Sequence, residues 1–89
     1  MQSFEADVYK RIVALVQAIL AQNALPTQLD PDAKLVDAGL TSMDMVNLML
    51  SVEAEFDFTI PQSEITAENF QSVETLRRMV VFQLQPTAV

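Results

Sequence analysis

Ser42 is the residue in this chain best placed to do chemistry. It follows Gly39, the only glycine, and opens an apolar run that ends at Leu50. Serine is a preferred helix N-cap, and Asp44 suits the positive end of a helix dipole, so we predict that Ser42 caps a helix. A phosphate on its hydroxyl would lie against free backbone amides and that positive end. The position therefore suits a covalently attached phosphodiester, although capping alone would also account for the serine.

The composition argues against most other chemistry. The 89 residues include no cysteine and no histidine, so the chain has no Ser-His or Cys-His pair and lacks the usual zinc ligands. We therefore expect no catalytic residues and no enzyme activity. A metal site built from neighbouring carboxylates is an alternative, but scattered acidic residues are more typical of a solvated face, and we expect no metal. The four carboxylates belong to Asp44, Glu53, Glu55 and Asp57.

Charge and hydropathy restrict the partners and the compartment. The formal net charge is −7, which opposes binding to nucleic acid and favours a basic protein surface as partner. No apolar run is long enough to insert across a membrane, and the start of the chain lacks the pattern of a secretory signal. We therefore expect a cytoplasmic protein, monomeric when free, that forms a single domain over residues 1–89.

The first helix is predicted near residues 4–21. Ser3 is its expected N-cap. Pro26 follows its end, because the residue before a proline is disfavoured in helical conformation. Apolar residues recur every three or four positions, which indicates one stripe facing the core. The stripe consists of Phe4, Val8, Ile12, Leu15 and Ile19.

A long connection, residues 23–41, joins this helix to the next. It is too long to lack structure in a compact domain. We predict one helical turn near Pro31 to Lys34 with Asp30 as its cap, and a backbone at Gly39 that needs positive φ. Three leucines are expected to pin the connection to the core: Leu29, Leu35 and Leu40.

The second helix, predicted over residues 42–56, is apolar on two sides. One stripe is assigned to the core and consists of Met45, Leu48, Met49, Val52 and Phe56. The other consists of Met43, Val46 and Leu50, with Asn47 and Ala54 beside it. A domain this small cannot bury both stripes, so we expect the second to be exposed and available to a partner.

The rest of the chain is predicted to contain a short helical element and a last helix. The short element lies within residues 61–71, with Ser63 or Thr66 as its cap, and Ser72 caps the last helix, which ends before Pro86. The core positions of the last helix are Val73, Leu76, Val80 and Leu84, with Met79 alongside.

No segment alternates long enough to form a strand, and the predicted fold is all-α. It is a small bundle of four helices, three longer and one short. Two arginines of the last helix are expected to be solvated: Arg77 and Arg78.

Residues 39–46, which read Gly-Leu-Thr-Ser-Met-Asp-Met-Val, resemble the phosphopantetheine attachment motif of acyl carrier proteins and their peptidyl carrier relatives. That motif is usually written Gly-x-Asp-Ser-Leu followed by an acidic residue, and the resemblance extends over about residues 29–80. It implies a four-helix bundle in which Ser42 carries 4′-phosphopantetheine, taken from coenzyme A by a phosphopantetheinyl transferase. It also implies a partner-binding face that contains Thr41, Met43, Asp44, Val46, Asn47 and Leu50.

Three positions depart from the family pattern. Thr41 stands where the family usually has aspartate, which removes a charge that a transferase can read. Asn47 and Ala54 stand where carriers of fatty-acid synthesis commonly have acidic residues. The face that meets basic partners therefore carries fewer negative charges. Since complementary charge sets the rate of encounter and the choice of partner, different partners are implied.

A second resemblance is to small stand-alone carriers that truncated relatives of aminoacyl-tRNA synthetases charge with amino acids. It rests on residues 38–42 and 48–50, Glu53, Phe56-Asp57 and Phe70-x-Ser72. It implies a carrier that a ligase loads with an aminoacyl thioester and that downstream enzymes unload. A fatty-acyl or polyketide carrier is one alternative. The other is an unmodified helical adaptor whose methionine-rich helix binds a partner, with Ser42 only a cap.

Overall fold

The computed structural model describes residues 3–85, so Pro86, predicted to follow the last helix, lies outside the described residues. Its elements are α1 (Phe4–Gln22), α2 (Ser42–Phe56), a 3₁₀ turn (Gln62–Glu64) and α3 (Val73–Leu84). The all-α prediction is confirmed, and the short fourth helix is a single 3₁₀ turn. In this part of the chain no helix is both long and apolar enough to cross a membrane.

Serine caps begin α1 and α3, as predicted. Ser3 Oγ accepts the Ala6 amide proton at 3.0 Å. Ser72 Oγ accepts that of Thr75 at 3.2 Å, and the Thr75 hydroxyl oxygen accepts the Ser72 amide proton at 3.0 Å. This reciprocal pair is a capping box, which satisfies amides that the first turn of a helix leaves without partners.

The core forms where α1 packs against both α2 and α3. In α1 the buried ridge recurs every four residues from Val8 and includes Val16 and Leu20, which the predicted stripe lacked. Leu15 lies at the edge of this ridge and is half-buried. Phe4 is on the ridge but in the first turn, where neighbouring helices do not cover it, and it stays 46% exposed.

Arg11 in α1 binds the C-terminal end of α2. Its Nε donates to Glu55 Oε2 and its Nη2 donates to the Glu55 carbonyl oxygen, both at 2.7 Å. Its guanidinium also lies 4.5 Å from the centre of the Phe56 ring, within the range of a cation–π contact. At the other end of α2, Asn23 Nδ2 donates to Asp44 Oδ2 at 3.0 Å. Two polar contacts therefore join the antiparallel helices α1 and α2.

The prediction that Arg77 is solvated is wrong. Its side chain is only 21% exposed because it pairs with Glu74 in the same helix and with Glu5 in α1, the latter at 2.7 Å. The partner in α1 is distant in sequence, so helical spacing alone does not reveal it. Arg78 is 72% exposed, as expected.

The long connection before α2 is ordered by the core and by backbone hydrogen bonds. Leu35 and Leu40 are buried and Leu29 is half-buried, which confirms the predicted anchors. The Leu35 amide donates to the Gln71 carbonyl oxygen at 2.8 Å, which ties the connection to the segment before α3. Near Pro31 a hydrogen-bonded turn replaces the predicted helical one, and Asp30 Oδ1 accepts the Asp32 amide proton in it at 2.9 Å.

Gly39 is expected to resist substitution by alanine. Its φ is +109°, and a Cβ at this position would lie 2.7 Å from Leu25 Cδ1. We expect Gly39→Ala to lower the free energy of unfolding by about 1 to 3 kcal/mol, measured by urea denaturation. The control is Ala24→Gly, because Ala24 already has φ of 56° and glycine suits that backbone. Equal stability of Gly39→Ala and the wild type would contradict the prediction.

Candidate functional site

The N-terminus of α2 is capped by Thr41, so the prediction that Ser42 is the cap is wrong. Thr41 Oγ1 accepts the Asp44 amide proton at 3.2 Å, and Asp44 Oδ2 accepts the Thr41 amide proton at 2.8 Å. This capping box places the cap one residue earlier, and Ser42 becomes the first helical residue. The Ser42 hydroxyl is therefore free of any capping role.

Asp44 is turned into the molecule, away from the partner face on which the sequence had placed it. The residue is 9% exposed. Besides the Thr41 amide, its Oδ2 accepts the Thr41 hydroxyl proton at 3.0 Å and the Asn23 side-chain amide at 3.0 Å. The bond from the Thr41 backbone, followed by that from Asn23, lowers the pKa of Asp44. Thr41 and Asp44 therefore shape the turn that presents Ser42.

The lowered pKa of Asp44 predicts a loss of stability in acid. An unfolded aspartate titrates near pH 3.9, so the ionised form stabilises the fold above that pH, and this stabilisation is lost as the pH falls through the folded pKa. We expect the melting temperature of Asp44→Asn to fall less than that of the wild type between about pH 6 and about pH 3. The prediction would be contradicted if the melting temperatures of the two proteins fell by the same amount across this pH range.

Ser42 is an exposed hydroxyl at an open helix end. Its side chain reaches solvent, and no hydrogen bond within residues 3–85 occupies the amides of Ser42 and Met43. Free amides at the positive end of a helix favour a phosphate group. The residues present therefore fit a phosphodiester on Ser42 Oγ.

The second apolar stripe of α2 is exposed, as predicted. Met43 is 70% exposed, Val46 46% and Leu50 54%, and Asn47 beside them also faces solvent. The core stripe is buried at Leu48, Val52 and Phe56, whereas Met45 and Met49 are half-buried.

A cleft of about 600 Å³ opens beside this stripe. One wall is α2, and the others are the connection near Lys34 and the segment before α3. Two exposed apolar residues that the sequence analysis missed, Val36 and Ile65, line it. Both lie outside the helices, so no helical periodicity marked them as part of a surface.

Comparison with known families matches residues 10–80 to the phosphopantetheine attachment site family. The chain belongs to the phosphopantetheine-binding carrier proteins. Its prosthetic group is a covalent 4′-phosphopantetheine, for which the open hydroxyl and amides at the start of α2 provide a suitable site.

The chain is similar to aminoacyl carrier proteins of Bradyrhizobium diazoefficiens and Agrobacterium fabrum. It is 74% identical over 86 residues to aminoacyl carrier protein 1 of Bradyrhizobium diazoefficiens, a match that covers 97% of this chain and 96% of the relative. It is 35% identical over 71 residues to the aminoacyl carrier protein of Agrobacterium fabrum, which covers 75% of this chain and 86% of the relative.

The fold of this carrier protein also matches solved structures. One is a chain in the crystal structure of Bradyrhizobium japonicum glycine:[carrier protein] ligase complexed with its cognate carrier protein and an analogue of glycyl adenylate. The TM-score is 0.74 at 75% identity, and the match covers 85% of this chain and 99% of that one. A second, with TM-score 0.70 and 76% identity, comes from the complex of that ligase with glycylated carrier protein; it covers 81% of this chain and 97% of that one.

Proposed function

We propose that this chain is an aminoacyl carrier protein, loaded at the arm on Ser42 by an amino acid:carrier protein ligase. The observation that carries the proposal is the 74% identity to aminoacyl carrier protein 1 along almost the whole of both chains. The match to chains solved together with a glycine:[carrier protein] ligase supports it. When attached, the arm supplies a terminal thiol that holds the aminoacyl group as a thioester.

In this proposal the protein positions and presents the cargo, while partner enzymes do the chemistry. A phosphopantetheinyl transferase in the cytoplasm would transfer the arm from coenzyme A to Ser42 Oγ. The phosphodiester to Ser42 would form as the pyrophosphate bond of coenzyme A breaks and adenosine 3′,5′-bisphosphate leaves. The amides of Ser42 and Met43, which have no hydrogen-bond partner among residues 3–85, would favour the negative charge of the phosphate. Partner enzymes, namely the transferase, the ligase and the downstream acceptor, dock on the exposed side chains of α2. Those side chains are Met43, Val46, Asn47 and Leu50.

Intact-mass spectrometry tests the proposal in two steps. The purified protein is first incubated with coenzyme A and a broad-specificity transferase, and then with ATP, a glycine:[carrier protein] ligase and single amino acids. We expect one phosphopantetheinyl group in the first step and one aminoacyl group in the second, with glycine tried first because of the ligase in the matched structures.

The two alternatives give other results in the same experiment. An adaptor takes up no arm in the first step, although a control carrier does. A fatty-acyl carrier takes up the arm but is charged by an acyl-carrier synthetase and a fatty acid, and not by the ligase with any amino acid. Either result would overturn the proposal.

A further inference from the structure

Lys34 is one of the two lysines in the chain, and it lies beside α2. It lines the cleft together with Met45 and Met49, which are three and seven positions beyond Ser42. At 1.5 Å per residue, the cleft therefore extends from about 4.5 Å to about 10.5 Å along the helix from the serine. A group attached to Ser42 lies next to the cleft that contains Lys34.

The amine of Lys34 is available for reaction. The side chain is exposed, and within residues 3–85 no ion pair holds its ammonium group, whereas all the arginines are paired. Glu68 is the other charged residue that lines the cleft, and it forms no salt bridge with Lys34. A lysine amine that has lost its proton is a nucleophile towards carbonyl groups.

The phosphopantetheine arm is long enough to bring a thioester to this amine. From phosphorus to sulfur it has about as many chain atoms as five residues, which span about 17 Å when extended. The far end of the cleft, at Met49, is only about 10.5 Å from Ser42 along the helix axis. The end of the arm therefore reaches every part of the cleft.

The other lysine, Lys10, lies at the opposite end of α2. It precedes Arg11, whose Nε donates to Glu55 Oε2 at 2.7 Å. Glu55 is thirteen residues beyond Ser42, or about 19.5 Å along the helix, which exceeds the length of the arm. Lys10 is exposed like Lys34, so the two lysines differ in their distance from the attachment site.

We propose that Lys34 is a modification site, whose Nζ takes the aminoacyl group from the arm when no acceptor enzyme collects it. The inference rests on the proposed function for the aminoacyl thioester. The unprotonated Nζ attacks the thioester carbonyl carbon, a C–N bond forms and the C–S bond breaks. The nitrogen loses a proton and the sulfur takes one, so no co-reactant is needed. The products are an amide on Lys34 and an arm with a free thiol, ready to be loaded again.

Attachment to the same molecule makes the transfer selective for Lys34. A short flexible tether gives an effective concentration in the millimolar range, about 1 mM. In a solution of about 10 μM protein, an amine on another molecule is about a hundredfold more dilute than that. We therefore expect at least about tenfold more amide on Lys34 than on Lys10.

The test loads the arm without the ligase. The full chain is incubated with glycyl-coenzyme A and a broad-specificity phosphopantetheinyl transferase that modifies a control carrier, and is then separated from the reagents. Hydroxylamine cleaves thioesters and leaves amides, so intact mass after this treatment measures the transferred fraction. Fragmentation of the digested protein identifies the acylated lysine. We expect a hydroxylamine-resistant glycyl group on Lys34, formed at a rate that is independent of protein concentration.

Three variants separate transfer within the molecule from other acylation. Lys34→Arg keeps the positive charge but removes the attacking amine, and it should lower the resistant fraction at least about tenfold. Lys10→Arg is the matched control and should leave that fraction unchanged. Ser42→Ala has no arm, and its Lys34 should stay unmodified in the presence of glycyl-coenzyme A.

The two proposals can fail separately in these experiments. A loaded arm without an amide on Lys34, or with equal amounts on Lys34 and Lys10, overturns the modification site and leaves the proposed function standing. Equal acylation of Lys34 in the Ser42→Ala variant also overturns the site. An amide on Lys34 in a protein that no amino acid ligase loads supports the site and overturns the proposed function. No uptake of the arm overturns both.

Discussion

Replacing Ser42 by alanine is expected to abolish uptake of the phosphopantetheine arm while the fold stays intact. In the proposed function the Ser42 hydroxyl oxygen forms the phosphodiester, and alanine offers no substitute. Because Thr41 provides the cap, the substitution removes no hydrogen bond from the start of α2. We expect the free energy of unfolding to change by no more than about 0.5 kcal/mol. Intact mass after incubation with coenzyme A and a transferase measures the uptake, and urea denaturation measures the stability.

Two other serines provide matched controls for this experiment. Ser63→Ala alters an exposed serine in the 3₁₀ turn, and it should take up the arm as the wild type does. Ser72→Ala removes a true N-cap and should lower the free energy of unfolding by about 0.5 to 2 kcal/mol. Arm uptake by Ser42→Ala would refute the assignment of the attachment site. If Ser42→Ala lost as much stability as Ser72→Ala, the conclusion that the Ser42 hydroxyl has no capping role would be wrong.

The second large effect is expected for Leu35→Ala, which should lower the free energy of unfolding by about 2 to 5 kcal/mol. Leu35 is fully buried in the core although it lies in the connection before α2. Its amide also donates to the Gln71 carbonyl oxygen, so the cavity would open where the connection meets the segment before α3. Urea denaturation followed by circular dichroism measures the loss.

The neighbouring residue is the control for this substitution. Val36 is 62% exposed, and Val36→Ala should change the free energy of unfolding by about 0.5 kcal/mol or less. Similar effects of the two substitutions would contradict the view that Leu35 anchors the connection.

Helix positions were predictable because their signals are local. The prediction of residues 42–56 for the second helix agrees with α2, and the first helix ends one residue later than predicted. Serine caps and apolar spacing are read within a few residues of each other, and both act through contacts inside one or two helical turns. The same spacing identified the exposed stripe of α2 around Val46.

The cap of α2 was assigned one residue too late, although a local signal was present. Thr41 and Ser42 are both acceptable caps, and the choice depends on which of them has a partner three residues on. Asp44 completes the box with Thr41. The Thr-x-x-Asp spacing of residues 41–44 identifies Thr41, and not Ser42, as the cap.

Other features could not be predicted because they join distant parts of the chain. The inward position of Asp44 depends on Asn23 at the end of α1. The partial burial of Arg77 depends on Glu5 at the start of α1. Which side chains meet across the bundle is determined by the packing of whole helices, and no short-range pattern encodes it. Val36 and Ile65 beside the cleft were missed because they lie outside the helices, where no helical spacing marks them.

The two polar contacts between α1 and α2 have a consequence for movement. Arg11 lies twelve residues before Asn23, the C-cap of α1, and their partners Glu55 and Asp44 are eleven residues apart on α2. At 1.5 Å per residue these intervals are about 18 Å and about 16.5 Å, so both contacts are satisfied in one register only. A slip of α2 along α1 by one turn, about 5.4 Å, would break both at once. The two contacts thus fix the axial position of α2 relative to α1. In the proposed function, each partner enzyme would therefore meet Ser42 at the same height on the bundle.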